Sequence, residues 1–267
     1  MPWFNHQHFR LHYVDRGEGT PFIFQHGLGG STDQTAGLFP GTSGVRFLSL
    51  DCRSHGESEP VAQAEDLRFS LMADDIVAWM DHLSVVDVVL GGISMGAAIA
   101  LNLALRYPGR VRGLLLSRPA WLDGPMEARE LYFEVAALIR SKGIEEGQGG
   151  FLASSSYARL RLESPDAANS LLGQFQAPRA KERVSRLEQM PGDTPHPDRK
   201  QWAALKVPTL VLATDTDPVH PLHLARQLAN AIPDAEFRQV TAKSIDVALH
   251  VREVQSVIGN WLEAFRS

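Results

Sequence analysis

The sequence predicts an α/β protein built on a mostly parallel open sheet, with a helical segment inserted into it. Three observations carry that expectation. Short apolar runs of strand length alternate with helical patterns along most of the chain, as successive βαβ units require. The run from Val85 to Leu90 is apolar except for Asp87 and rich in β-branched residues, which suits a strand covered on both faces. From about residue 121 to 200 the strands stop while helical patterns continue, so the alternation is interrupted once.

The elements follow in order. Two alternating segments open the chain, and the second, His8 to Asp15, ends in the turn signal Arg16-Gly17-Glu18-Gly19, predicting an antiparallel edge. Pro21 to Gln25 and Val45 to Leu50 are apolar runs ending at His26-Gly27 and at Asp51. Ser70 is the expected N-cap of a helix whose apolar positions are Leu71, Ile76, Val77, Met80 and Leu83. The central strand ends in glycines and leads into a helix from Met95 to Tyr107. That helix is apolar nearly all round and is stopped by Pro108-Gly109 before the strand Val111 to Leu116. In the insertion, Ser164-Pro165-Asp166 has the chemistry of a helix start, and the proline-dense run Met190 to Pro197 predicts a loop. Strand and helix then alternate again: Val207 to Ala213, Pro221 to Ile232, Glu236 to Thr241 and Val251 to Phe265. The last places Val254, Val257, Ile258, Trp261, Leu262 and Phe265 on one face. The expected division is a core of residues 1–120 and 201–267 with a helical cap of 121–200.

Composition narrows the function classes. A chain of 267 residues, 44% hydrophobic, can bury a sizeable core without disulfides or metals. With 31 acidic against 26 basic residues and no basic block, nothing predicts a nucleic-acid partner. Cys52 is the only cysteine, so an intramolecular disulfide and a cysteine-rich zinc site are both excluded, and a reducing compartment is expected. The first residues lack a basic start, apolar run and cleavage site, so the expectation is mature protein from residue 1. Val88 to Leu105 is the most apolar stretch but carries Gly91, Gly92, Ser94 and Asn102, which argues against a membrane span. The expected location is cytoplasmic, with no membrane partner. His6, His8 and His12 are expected on a solvated strand face rather than as metal ligands, and no metal site is predicted.

The chemistry concentrates at strand ends. Gly92-Ile93-Ser94-Met95-Gly96 matches G-x-S-x-G between a strand and a helix, where a sharp turn leaves no room for side chains two residues either side of the serine. A serine hydroxyl needs a neighbouring base, itself oriented by an acid. Asp217 follows the strand ending at Ala213, and His250 follows the last strand, just before the final helix. Asp215 and, more remotely, Asp246 are alternative acids. His220 and His223 are alternative bases, set aside because they follow the acid too closely to oppose it across a site.

The chain resembles the α/β-hydrolase superfamily over nearly its whole length apart from the inserted helices. The resemblance rests on Phe24 to Gly30, Asp51 to Ser58, Gly92 to Gly96, Asp217-Pro218-Val219-His220-Pro221 and His250, in that order. It implies Ser94 as nucleophile, His250 as general base and Asp217 as orienting acid, and places an oxyanion hole at the backbone N–H groups of Leu28 and Met95. Two departures stand out: Ser54 occupies a position usually glycine, and Leu249 precedes His250 where glycine is common. His26, Arg53 and His55 are expected to brace their loops by hydrogen bonds.

The inserted helices are expected to cover Ser94 and to select a small organic ester, thioester or lactone in an apolar pocket. Arg118, directly after a strand, is either paired with a cap carboxylate such as Asp123 or Glu127 or binds a substrate carboxylate. Trp121 is a second candidate contact. The expected activity is that of a serine esterase or lactonase working through an acyl-enzyme, without a cofactor. A carbon–carbon bond hydrolase on the same triad and a non-catalytic small-ligand receptor are the alternatives. Haloalkane dehalogenases and epoxide hydrolases are disfavoured, since they place an aspartate at the Ser94 position.

Overall fold

The computed structural model describes residues 2–196 and 198–266, so Pro197, at the end of the expected loop, lies outside the described residues, as do Met1 and Ser267. Its strands are β1 (Trp3–His6), β2 (Phe9–Arg16), β3 (Thr20–Gln25), β4 (Val45–Leu50), β5 (Val88–Ile93), β6 (Val111–Ser117), β7 (Thr209–Ala213) and β8 (Glu236–Gln239). They form one sheet in the order β1-β2-β4-β3-β5-β6-β7-β8. β1 and β2, and β2 and β4, pair antiparallel, and the remaining neighbours pair parallel.

The helices outside the insertion are α1 (Thr32–Leu38), α2 (Phe69–His82), α3 (Met95–Arg106), α8 (Leu222–Ala231) and α9 (Val247–Leu262). Between β6 and β7 lie α4 (Arg129–Leu152), α5 (Ser155–Glu163), α6 (Pro165–Gln176) and α7 (Ser185–Gln189). β5 is buried at every position, and α3 is buried from Met95 to Ala104, which is why both read as almost wholly apolar, Asn102 excepted. Among the described residues, no helix is long and apolar enough to cross a membrane.

Several local expectations shift. α2 begins at Phe69, before the expected cap Ser70, and α1 had no strong apolar pattern to announce it. Ser164 does cap α6, accepting from the N–H of Ala167, with Pro165 in the first turn. α9 starts at Val247, because the carboxylate of Asp246 accepts from the N–H of Leu249 and opens the helix four residues earlier than its apolar face suggests. His250 therefore stands inside a helix rather than on a free loop. His12 is not solvated: β2 lies between β1 and β4, and the ring is buried, 2.7 Å from Asp51.

The inserted segment is tied to the loop that follows β4 and to the start of α2. Arg186 of α7 donates to the carbonyl of Ser54, Arg183 to the carbonyls of Gly56 and Ser58, and Asp193 accepts from the N–H of Phe69.

Candidate active site

The turn from β5 into α3 explains its own sequence. A Cβ on Gly92 would lie 2.0 Å from the carbonyl carbon of Gly96, and one on Gly96 would lie 2.3 Å from the carbonyl oxygen of Gln25. Between them Ser94 is held at φ 55° and ψ −109°, a conformation few non-glycine residues adopt. Its N–H donates to the carbonyl of Ser117, which fixes the turn to the end of β6. Met95 is the first residue of α3, so its N–H has no acceptor within the helix. Leu28 sits in the loop after β3, where its carbonyl accepts from Gln174 of α6 at 3.4 Å.

The residue set against Ser94 is His220. Its Nε2 lies 2.8 Å from Oγ of Ser94, and its Nδ1 lies 2.9 Å from Oδ2 of Asp217. A carboxylate only accepts, so Nδ1 carries the proton and Nε2 is left to accept from the serine hydroxyl. The arrangement is local. The carbonyl of Asp217 accepts from the N–H of His220, and its Oδ1 accepts from the N–H groups of Val219 and His220. Pro218, second in that turn, has the fixed φ that such a reversal uses. The turn folds the ring back over its own acid. The signal was present in Asp217-Pro218-Val219-His220: a turn brings its fourth residue back to its first, so closeness in sequence favours the pairing here rather than forbidding it.

His250, the expected base, is placed differently. It is buried, and its Nδ1 donates to the carbonyl of Thr241 at 2.8 Å, an orientation imposed by the first turn of α9. The expectation of His250 against Ser94 is thus not what the structure shows. Asp215 lies outside the group, near Gln239, and Asp246 caps α9. His223 contacts Glu127 at an exposed position.

Arg118 is tied neither to Asp123, which pairs with Arg199, nor to Glu127, but it does reach another carboxylate of the inserted helices, Asp166 of α6, at 3.8 Å. Its Nη2 lies 2.5 Å from Oδ2 of Asp217 and 3.3 Å from Nδ1 of His220. The guanidinium is therefore engaged by the acid rather than presented free to a substrate. Trp121 is 2% exposed and packs edge-on against Phe69, which makes it core rather than a ligand contact. His26 spans Gly27 and Cys52, His55 reaches the carbonyl of Arg53, and Arg53 forms a two-point pair with buried Asp75. Among the described residues no cluster of histidine, cysteine and carboxylate side chains could hold a metal ion.

Electrostatics follow the geometry. Burial alone would raise the carboxyl of Asp217, but His220 and Arg118 outweigh it and hold the group far below the usual carboxylate range. Burial lowers His220 below the ordinary imidazole value, Asp217 opposes this, and Arg118 and Lys243 reinforce it. In neutral solution the set is an ionised acid, a neutral imidazole and a hydroxyl, which is what nucleophilic attack by the serine needs.

The fold, though not the individual site residues, can be set beside known proteins. Residues 20–248 match the model of the alpha/beta hydrolase fold family. The chain belongs to that family. Over 250 residues it is 28% identical to a 2-hydroxy-6-oxononadienedioate/2-hydroxy-6-oxononatrienedioate hydrolase of Comamonas testosteroni, covering 86% of this chain and 82% of the relative. Over 124 residues it is 35% identical to the dihydrolipoyllysine-residue acetyltransferase component of an acetoin cleaving system from Pseudomonas putida. That match spans 46% of this chain and only 33% of the relative. Among solved structures, Est816, described as an N-acyl homoserine lactone degrading enzyme, superposes with a TM-score of 0.71 at 26% identity over 99% of this chain and 100% of that one.

Proposed function

We propose that the protein is a serine hydrolase that cleaves a carboxylic ester or lactone of a small organic molecule, with Ser94 as nucleophile, His220 as base and Asp217 as its acid. The observation that carries this reading is the continuous contact from Ser94 Oγ to His220 Nε2, 2.8 Å, and from His220 Nδ1 to Asp217 Oδ2, 2.9 Å. Oγ attacks the carbonyl carbon while Nε2 takes its proton. The N–H groups of Met95 and Leu28 receive the oxyanion, a donor pair of which either member is worth about 10²- to 10³-fold in rate. Nε2 then returns the proton to the leaving alcohol, and water activated in the same way releases the acid. With a lactone the leaving alcohol stays attached to the acyl group.

The likeness to a lactone-degrading enzyme favours the lactone within this class. The likeness to a hydrolase of a dienedioate favours a second reading, cleavage of a carbon–carbon bond beside a carbonyl on the same residues. Labelling with a fluorophosphonate serine probe tests the shared step. Ser94 is expected to react, and Ser94→Ala to abolish the signal. A folded protein in which Ser94 stays unlabelled would sink the proposal. Turnover of lactones, linear esters and vinylogous diketones in parallel then separates the two readings.

A further inference from the structure

We infer that Arg118 is a positioning residue that holds Asp217 against His220 and extends the working range of the site towards acid. The inference rests on the roles proposed for Ser94, His220 and Asp217. Three observations support it. Arg118 immediately follows β6, its N–H donates to the carbonyl of Leu212 on β7 at 2.7 Å, and its φ is 48°, in the left-handed region. The backbone is thus pinned beside Ser117, whose carbonyl also holds Ser94. The guanidinium reaches Oδ2 of Asp217, the same oxygen that faces His220 Nδ1. Finally, Nη2 and Nδ1 are 3.3 Å apart although both carry protons towards the acid, so the contact is an approach of two donors and opposes a second proton on the ring.

The groups around His220 come from several elements, and Asp217, Arg118 and Lys243 act on its charge directly. Asp217 lies on its own loop, Arg118 at the end of β6, and Ser94 at the start of α3. Lys243, half-buried in the loop between β8 and α9, adds a second cation in range of the ring. Asp166 of α6 lies 3.8 Å from Arg118. Tyr132 of α4 is within the field of Asp217 and Arg118, and His250 of α9 within that of Arg118 and Lys243. The nearest cation to the imidazole is Arg118. Burial does most to keep the ring neutral, and without Arg118 the pull of Asp217 towards a doubly protonated ring, which cannot accept the serine proton, would be less opposed.

Two measurements decide the matter. In a Ser94→Ala background, the His220 ring is titrated by NMR, which reports whether or not the enzyme turns over. In the active protein, the pH profile of kcat/KM is recorded on a neutral ester and a carboxylate-bearing ester of matched size. With Arg118 present, His220 is expected to titrate below the ordinary imidazole value of about 6.5. In Arg118→Gln the ring midpoint and the acid limb should both move to higher pH by about one unit, on both esters. Arg118→Lys should restore part of the shift. Unchanged midpoint and limb in a folded Arg118→Gln protein would overturn the inference, as would a loss confined to the carboxylate-bearing ester, which would make Arg118 a substrate contact. If that variant does not fold, a His220 midpoint above 6.5 with Arg118 in place overturns it equally. Absence of turnover in the unaltered protein on any ester counts against the proposed function instead, and leaves the titration readable.

Discussion

Asp217 and His220 are three residues apart, and the turn between them decides which histidine serves Ser94. A base that opposed its acid from a distant loop would depend on two independently held segments. Here one reversal sets both, with Oδ1 occupied by two backbone N–H groups and Oδ2 by the ring and Arg118. The consequence is a difference between two histidines that sequence alone ranks the other way round. His220→Ala is expected to lower kcat on p-nitrophenyl acetate by at least about 10²-fold, the usual contribution of a general base. His250→Gln, whose ring in the native protein faces a backbone carbonyl, should stay within about tenfold of the unaltered rate, since ordinary packing changes of about 1 kcal/mol do not abolish turnover. Comparable collapse of both variants would show that His250 also reaches the reaction. The acid side follows with a definite sign: because His220 lies below the ordinary imidazole value, activity should persist on falling pH until the ring itself protonates, and be lost below that point.

At the scale of elements, the β5–α3 junction shows how sequence and strain are linked. The backbone of Gly96 passes so near the end of β3 that a methyl group on it would meet the carbonyls of Gln25 and His26. Gly92 is equally confined by the first turn of α3. Gly92→Ala is therefore expected to destabilise the fold by more than about 3 kcal/mol, or to prevent soluble expression, because the contact is with backbone that cannot rotate away. Gly109→Ala, at a position with open space around it, is the matched control and should change urea stability little. The same junction was legible in sequence because its steric demand is written as glycine at both positions. α9 was not legible at its start: Val247, Ala248 and Leu249 interrupt the pattern of its buried face, and the helix is opened by Asp246 instead. That boundary is what misplaced His250. His220 was set aside for a different reason: its closeness to Asp217 in sequence reads as forbidding the pairing, whereas the four-residue turn between them makes it.

For the molecule as a whole, the parallel sheet was legible because strands covered on both faces must be apolar throughout, as β5 is, whereas the edge strand β8 is mostly exposed and gave a weaker signal. The union between the inserted helices and the sheet was not legible, because it is made by charged side chains that usually lie at the surface. Arg183 and Arg186 are 3% and 2% exposed. Arg186 donates to the carbonyl of Ser54 and to Gln174 rather than to a carboxylate, and burial lowers its guanidinium to about 10. Gln174 in turn reaches the carbonyl of Leu28. A cation buried on carbonyl partners alone is costly to leave unpaired, so replacing it should loosen the contact it makes rather than the sheet below. In Arg186→Ala, amide exchange is expected to rise at least about tenfold over α6 and α7, while β5 and β6 keep their protection. The rate on small esters should fall through the weakened hold on Leu28, with the His220 acid limb unmoved. Uniform loss of protection across β5 and β6 would mean instead that the inserted helices and the sheet unfold as a single unit, and that Arg186 stabilises the entire chain rather than the seat of its helices.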